Sequence, residues 1–221
     1  MEYHDIFVDY DAMSTYAADV VQTQLSTKPA SKIMFPTGNT PIEMYARLRA
    51  RDLDWSQAEL YNLDEYRGNI DHDQSYAYFL NEHLYQHIGI NSNQIKFIDD
   101  TPAVDYGPYG MNMDLCILGI GDNGHIAFNE PGSELASVTR VVNLTESTLD
   151  ANSSNFPDRS LMPTKALTVG VDTIMSATKI IMLIRGKSDT LTTFRNTSAY
   201  DPNFPASALH SHSNCEILYC D

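Results

Sequence analysis

The sequence has few basic residues, and this shortage excludes whole classes of partner. Lysine and arginine number 14 against 29 aspartate and glutamate residues, which gives a formal net charge of −15. Nucleic acids and anionic membranes require an extended basic face, so we expect neither as a partner of this protein. A local phosphate site stays possible, because a few backbone N–H groups can bind an anion inside an acidic protein.

Long apolar runs, cysteine and a secretory leader are also scarce or missing. The longest apolar run, residues 180–184, is about five residues long, whereas a membrane helix needs roughly 18–20. The first residues, MEYHDIFVDYD, lack the basic and apolar regions of a signal peptide. Cys116, Cys215 and Cys220 are too few and too scattered for a disulfide scaffold or a zinc site. We predict a soluble, cytoplasmic protein with one domain over residues 1–221.

Short β-rich runs alternate with segments of helical periodicity. We predict strands at residues 6–8, 32–35, 60–63, 94–98, 113–120, 180–184, 206–209 and 216–219. Helices are predicted at residues 11–25, 41–50, 74–87, 166–177 and 189–195, and long loops at residues 99–111 and 152–163. The alternation indicates a mostly parallel sheet that is covered on both faces and binds ligands beyond the carboxyl ends of its strands.

The first polar segment that follows a predicted strand is PTGNTP, at residues 36–41. A turn of this kind before a helix directs successive N–H groups, and the hydroxyls of Thr37 and Thr40, at one point where an anion can bind. It is not a Walker A loop, because the spacing is too short and the lysine is missing. Gly38 and Asn39 also tolerate positive φ, so the same residues would suit any tight strand-to-helix turn.

The second polar segment places Asp64 and Glu65 at the end of a predicted strand. Adjacent strand residues point to opposite faces, so we expect at most one of these carboxylates to face the crevice. A carboxylate that is shielded from water there could have a raised pKa and take a proton from carbon. The alternative is a helix N-cap or a solvated loop acid.

The third segment, GIGDNGHIAFNEPG at residues 119–132, delivers Asn123, His125 and Glu130 after the most apolar strand. Its glycines allow a ligand to approach closely, and a nearby carboxylate could orient the imidazole of His125. A lone histidine is more often structural than catalytic, and this one lacks the histidine partner of a zinc motif. The G-x-G-x-x-G match is not followed by an acidic-ended second strand, and no G-x-S-x-G nucleophile elbow exists.

Taken in order, several segments carry a family resemblance. They are PTGNTP, NLDEYRG, DQSY, GIGDNGHIAFNEPGS, TRVV and ALTVGVDTIMSA. From about residue 31 to the C-terminus, the chain closely resembles the glucosamine-6-phosphate deaminases. That family includes galactosamine-6-phosphate deaminases and shares a superfamily with 6-phosphogluconolactonase. The resemblance implies a three-layer α/β/α sandwich with a mostly parallel, Rossmann-like sheet.

The resemblance also implies a reaction that converts an amino-sugar phosphate and water to a ketose phosphate and ammonia. His125, supported by Glu130 and oriented by Asn123, would open the sugar ring. Asp64 would then move a proton from C2 to C1 through an enol-type intermediate. The residues Thr37, Gly38, Asn39 and Thr40 would bind the phosphate, and no metal ion or organic cofactor would be required.

This chain departs from the family pattern at the phosphate and elsewhere. Asn39 replaces the second glycine of the familiar PTGGTP, and Asn123 stands where many members have aspartate. The segment at residues 151–156 lacks the family's arginine, and Asp189 occupies the position of its late-strand lysine. We expect Lys187 or Arg159 to replace these cations, because charge-assisted hydrogen bonds to phosphate are strong.

Two further expectations concern assembly and competing functions. Val142 stands where allosteric relatives carry an effector-binding lysine, so we expect no amino-sugar activation and a monomer or small homo-oligomer. A galactosamine-6-phosphate deaminase, a 6-phosphosugar lactonase and a non-catalytic sugar-phosphate sensor stay open as alternatives. The Asn-Glu-Pro sequence that ends at Pro131 favours the deaminases over the lactonases.

Overall fold

The computed structural model describes residue 7 and residues 9–68, 72–101 and 105–221. Six α-helices and nine strands, joined by loops and short 3-10 helices, make up this part of the chain. The α-helices are α1 (Tyr10–Thr27), α2 (Ile42–Arg49), α3 (Tyr76–His83), α4 (Glu146–Asn152), α5 (Val171–Met175) and α6 (Ser188–Asn196). The strands are β1 (Lys32–Phe35), β2 (Glu59–Asn62), β3 (Asp64–Tyr66), β4 (Ile95–Lys96), β5 (Leu115–Leu118), β6 (Arg140–Asn143), β7 (Lys165–Thr168), β8 (Lys179–Arg185) and β9 (Cys215–Cys220).

Six of these strands form a parallel sheet in the order β4-β2-β1-β5-β8-β9. Every pairing in it is parallel, for example Met34 with Tyr61 on one side and with Cys116 on the other. The strands in the middle of the sheet are continuous apolar runs because both of their faces are buried. The predicted parallel sheet is thus confirmed.

Alternate residues of each central strand face two separate cores. Ile33, Phe35 and Leu115 pack with residues of α1, α2 and α3 on one side of the sheet. Met34 and Cys116 pack on the other side with residues of α5, α6 and a 3-10 helix at Pro205–Ser211. The period of two along each strand therefore produces the three-layer α/β/α arrangement that the resemblance implied.

A second sheet was not predicted from the sequence. Strands β3, β7 and β6 pair in antiparallel fashion, with Asp64 opposite Thr168 and Thr168 opposite Arg140. The prediction of one helix over residues 166–177 was therefore wrong, because its first part is β7 and only Val171–Met175 is helical. Gly170 separates the two elements, and a Cβ there would lie 2.0 Å from the carbonyl oxygen of Ser137.

Two terminal strand predictions have different outcomes. The strand predicted at residues 206–209 was wrong, since this segment belongs to the 3-10 helix that begins at Pro205 and buries Ala206 and Leu209. Residues 6 and 8 of the first predicted strand lie outside the described residues, although the N–H of Phe7 donates to the carbonyl oxygen of Tyr219. Within the described ranges, no helix is long and apolar enough to cross a membrane.

Candidate active site

A cavity of about 240 Å³ lies beyond the carboxyl ends of β1, β2, β5 and β8, where the sheet topology predicted a crevice. The loops that follow these strands form most of its wall. Helices α3 and α4 each contribute a side. Of the predicted site residues, those that line the cavity are Thr37, Gly38, Asn39, Thr40, Asp64, His125 and Lys187.

The loop after β1 is held from behind by a tyrosine. Tyr10 Oη donates to the carbonyl oxygens of Asn39, at 3.2 Å, and Thr40, at 2.9 Å, and accepts the N–H of Glu43 at 3.1 Å. Gly38 takes φ +93°, which glycine adopts readily, whereas Asn39 keeps a negative φ. The turn therefore needs glycine only at position 38, and Asn39 fits without strain.

Asp64 and Glu65 face different surroundings, as the alternation of strand residues requires. Asp64 lines the cavity, and only 6% of its surface is exposed. Burial raises the pKa of the Asp64 carboxyl well above its usual range, and the neighbouring charge of Glu65 raises it further. Glu65 does not line the cavity and accepts hydrogen bonds from backbone N–H groups instead.

His125 is held by an amide that is itself held by a carboxylate. The Nδ2 group of Asn123 donates to Glu130 Oε2 at 3.0 Å, which turns Asn123 Oδ1 towards His125 Nδ1 at 2.7 Å. Because an amide oxygen only accepts, Nδ1 carries the proton and Nε2 retains the lone pair. This network assigns the tautomer of a neutral imidazole that can accept a proton at Nε2.

Burial lowers the pKa of His125, and the opposing charge of Glu130 only partly offsets this effect. Glu130 Oε2 lies 3.6 Å from His125 Nδ1, so the carboxylate acts on the ring from the side that Asn123 occupies. Glu130 is buried and, like Asn123, does not line the cavity. The structure therefore places His125 at the cavity wall and its two predicted partners behind it.

Lys187 and Arg159, the two candidate replacements for the missing cations, have different positions. Lys187 lines the cavity, where its Nζ donates to the carbonyl oxygen of Ile120 at 2.7 Å and pairs with Asp122 Oδ1 at 2.9 Å. Arg159 lies away from the cavity and pairs with Glu146 and Asp150 on α4. Only Lys187 is therefore placed to contact an anion in the cavity.

Several residues of the cavity wall were not predicted as site residues. Tyr76 and Phe128 stack with ring centroids 5.8 Å apart and form an aromatic wall, and Asn152 reaches the cavity from α4. Tyr76 belongs to the DQSY segment of the resemblance, which was the available signal for it. No cluster of three His, Cys, Asp or Glu side chains that could hold a metal ion occurs within the described ranges.

Comparison with known proteins gives consistent relatives over nearly the whole chain. Residues 9–218 match the sequence model of a family described as glucosamine-6-phosphate isomerases/6-phosphogluconolactonase. A glucosamine-6-phosphate deaminase of Clostridium novyi is 38% identical over 96% of this chain and 94% of its own length. Glucosamine-6-phosphate deaminase 1 of Giardia intestinalis is 41% identical over 90% of this chain and 80% of its own.

Solved structures show the same relationship in three dimensions. A monomeric glucosamine-6-phosphate deaminase superposes with a TM-score of 0.92 at 33% identity, covering 99% of this chain and 97% of that one. A 6-phosphogluconolactonase of Thermotoga maritima superposes with a TM-score of 0.76 at 20% identity, covering 98% of this chain and 99% of that one, which shows a shared fold. The chain therefore belongs to the family of glucosamine-6-phosphate isomerases and 6-phosphogluconolactonases.

Proposed function

We propose that this protein converts glucosamine 6-phosphate and water to fructose 6-phosphate and ammonia. The observation that carries the proposal is that one cavity holds a buried carboxyl, Asp64, and a neutral histidine, His125, beside the loop at residues 37–40. The three deaminases compared above share 33–41% identity with the chain, whereas six 6-phosphogluconolactonase structures share 16–20%.

Phosphate binding would use the loop at residues 37–40 and one cation. The N–H groups and the hydroxyls of Thr37 and Thr40 offer donors at a strand-to-helix turn, which suits an anion. Lys187 uses two of its three N–H donors on Ile120 and Asp122, and the third is available to a ligand oxygen. The phosphate would therefore bind between this loop and Lys187.

Ring opening would be the task of His125. The lone pair on Nε2 takes the proton of the sugar O1 hydroxyl, C1 becomes a carbonyl as its bond to the ring oxygen breaks, and that oxygen receives the proton. Asn123 would orient the ring, and Glu130 would stabilise the charged imidazolium that forms briefly. The histidine returns to its neutral form, so this step needs no further reactant.

Asp64 would then act on the open-chain sugar. Its carboxylate takes the C2 proton, which is acidic only because the neighbouring C1 carbonyl is now unmasked, and O1 gains a proton from the substrate's ammonium group. The same carboxyl returns its proton to C1 and leaves an iminium at C2. Water adds to C2 and ammonia leaves, so the overall balance is amino sugar and water to ketose and ammonia.

The test is ammonia and ketose phosphate release from glucosamine 6-phosphate, with galactosamine 6-phosphate and 6-phosphogluconolactone in parallel. We expect release from glucosamine 6-phosphate that is lost in Asp64→Asn. Ammonia release from galactosamine 6-phosphate alone would identify a galactosamine-6-phosphate deaminase. Hydrolysis of the lactone without ammonia release from either sugar would identify a lactonase. If the folded protein binds the sugar phosphates tightly but does not turn them over, it is a sensor.

We also propose that the protein acts in the cytoplasm as a monomer or small homo-oligomer, without amino-sugar activation. The related deaminase structure at TM-score 0.92 is described as monomeric. Val142 on β6 packs beside the cluster around Tyr66 and offers no cation to an anionic effector. Light scattering of the purified protein and hyperbolic substrate dependence would support this proposal, and sigmoidal kinetics would contradict it.

A further inference from the structure

Glu65 is a buried carboxylate that the proposed mechanism does not use. Only 2% of its surface is exposed, and it lies on β3 next to Asp64 but outside the cavity. Its Oε1 accepts the N–H groups of Tyr66, at 2.8 Å, and Tyr76, at 3.0 Å, and its Oε2 accepts that of Ala77 at 2.9 Å. Three such bonds around one buried carboxylate form an anchor for the backbone.

Two of these donors belong to the first residues of α3, so Glu65 joins that helix to β3 across 11 and 12 positions of the chain. Tyr76 opens α3 and lines the cavity, where its ring stacks on Phe128. The hydroxyls of Tyr76 and Tyr66 lie 3.3 Å apart. The cavity wall made by Tyr76 and the strand that carries Asp64 are therefore connected through one carboxylate.

We propose that Glu65 is a positioning residue of the reaction, which holds Tyr76 and Asp64 in a fixed relation and adds its negative charge beside the Asp64 carboxyl. The proposal rests on the proposed function for its kinetic consequences. Its structural part does not, because the contacts between Glu65 and α3 exist whatever substrate the cavity takes. Glu65 touches neither the cavity nor a substrate in it, so it is not a catalytic residue.

The negative charge of Glu65 also acts on the neighbouring Asp64 carboxyl. The titratable groups around Asp64 are Glu65 and Tyr66 on β3, Tyr76 on α3, and Asp122, His125 and Lys187 at the cavity wall. Asp99 acts on Glu65. Burial raises the pKa of Glu65 as well, against the effect of its three backbone hydrogen bonds. The negative charge of Glu65 raises the pKa of Asp64, so we expect removal of that charge to lower the pKa of Asp64.

The first experiment compares Glu65→Gln with Glu82→Gln, which removes the same charge from the last part of α3. In Glu65→Gln the amide nitrogen would face the Ala77 N–H donor to donor, and the hydrogen bonds from Tyr66 and Tyr76 would lose their charged acceptor. We expect kcat/KM to fall roughly 10-fold to 100-fold, as small misplacements of catalytic groups do. We also expect its acidic limb to move to lower pH, because the loss of a negative charge favours the ionised Asp64. Glu82→Gln should change neither.

A second variant separates the effect of the charge of Glu65 from the effect of its side-chain length. Glu65→Asp retains the charge but is one methylene shorter, so we expect a raised KM with the acidic limb unchanged. The proposed effect of the Glu65 charge would be overturned if the acidic limb of the pH profile did not move in Glu65→Gln, or if it moved by the same amount in Glu65→Asp. Glu65→Gln could fail to fold, and Glu65→Asp then tests the positioning role by itself. A KM equal to that of the native protein would show that the length of the Glu65 side chain is unimportant, and would overturn that role.

Hydrogen exchange tests the anchor without any turnover. The N–H groups of Tyr76 and Ala77 should exchange at least about 10-fold faster in Glu65→Gln than in the native protein or in Glu82→Gln, because they lose a charged acceptor. Unchanged exchange would overturn the proposal even in an active enzyme. Faster exchange in a protein that releases no ammonia would retain the anchor and reject the deaminase, so the two failures are distinguishable.

Discussion

The His125 ring lies closer to the amide oxygen of Asn123 than to the carboxylate of Glu130: Nδ1 is 2.7 Å from Asn123 Oδ1 and 3.6 Å from Glu130 Oε2. Asn123 thereby transmits the orientation of Glu130 to His125, since its Nδ2 donates to that carboxylate at 3.0 Å. A neutral partner keeps the imidazole neutral more readily than an anion would.

Replacing Asn123 by aspartate should raise the pKa of His125, because a second negative charge would face Nδ1 and favour the imidazolium. In the native protein, burial and the nearby charge of Lys187 lower this pKa. We expect the pH at which activity reaches half its maximum to move upward in Asn123→Asp. NMR titration of the His125 ring measures the shift directly.

Asn123→Ala is the companion variant, because it removes the hydrogen bond without adding charge. We expect kcat to fall roughly 10-fold to 100-fold, since an imidazole that is not held loses part of the benefit of acid–base catalysis. Equal pKa values for His125 in Asn123→Asp and the native protein would show that Asn123 does not control the ring.

Removing the charge of Asp122 should strengthen phosphate binding. Asp122 pairs with Lys187 at 2.9 Å and lines the same cavity, so its carboxylate competes with a ligand anion for that cation. We expect Asp122→Asn to lower KM for the sugar phosphate and the inhibition constant of inorganic phosphate roughly threefold to tenfold at low salt, with less effect at high salt.

Asp189→Asn is the matched control for this charge, because Asp189 is exposed in the first turn of α6 and does not line the cavity. The same charge is removed there without contact to Lys187, and we expect a change in KM below about twofold. A higher KM in Asp122→Asn would mean instead that Asp122 holds Lys187 in its binding position.

Asp64→Asn should lose activity and gain stability. Folding raises the pKa of Asp64 above its unfolded value, so its favourable contribution is present at low pH and is lost as pH rises through the folded pKa. Above that pH, the neutral amide avoids the cost of a buried charge. A relief on the order of 1 kcal/mol would raise Tm by roughly 2–4 °C for a chain of this size.

Melting curves of Asp64→Asn and the native protein at acidic and alkaline pH check this prediction. We expect the difference in Tm to grow as pH rises and to be small under acidic conditions, where both side chains are neutral. The proposed role as base requires kcat to fall at least about 100-fold in the same variant. A variant that is active and no more stable at alkaline pH would contradict both statements.

Gly121 and Gly119 provide a matched pair within one loop. A Cβ on Gly121 would lie 2.2 Å from Cε1 of His125, whereas a Cβ on Gly119 would meet nothing within 4 Å. Gly121→Ala must therefore displace the imidazole, and overpacking of this kind costs roughly 1–3 kcal/mol. We expect lower Tm and shifted His125 resonances in Gly121→Ala but not in Gly119→Ala. Identical His125 spectra in the two variants would contradict the close approach.

Much of the architecture was predictable because it follows from local patterns. Continuous apolar runs such as β5 and β8 indicated strands that are buried on both faces, and their alternation with helices indicated a parallel sheet. The same logic predicted that Asp64 and Glu65 would face different surroundings. The polar segments after β1, β2 and β5 meet at one cavity because the carboxyl ends of parallel strands share one edge.

The antiparallel sheet was not predictable in this way. Strands β3, β6 and β7 have three or four residues each, and β7 pairs with β3 across about 100 positions of the chain and with β6 across about 25. Segments this short have no clear period of their own, so residues 165–168 fitted a helix as well as a strand. Long-range pairing decided between them.

The sequence by itself determined the parallel sheet, the position of the crevice and seven of the residues that line it. Tertiary structure alone decided which of Lys187 and Arg159 reaches the cavity, which tautomer His125 holds and which carboxylate anchors α3. The physical reason is that strand periodicity is a property of neighbouring residues. Hydrogen bonds and ion pairs between side chains depend on the packing of segments that are distant in sequence.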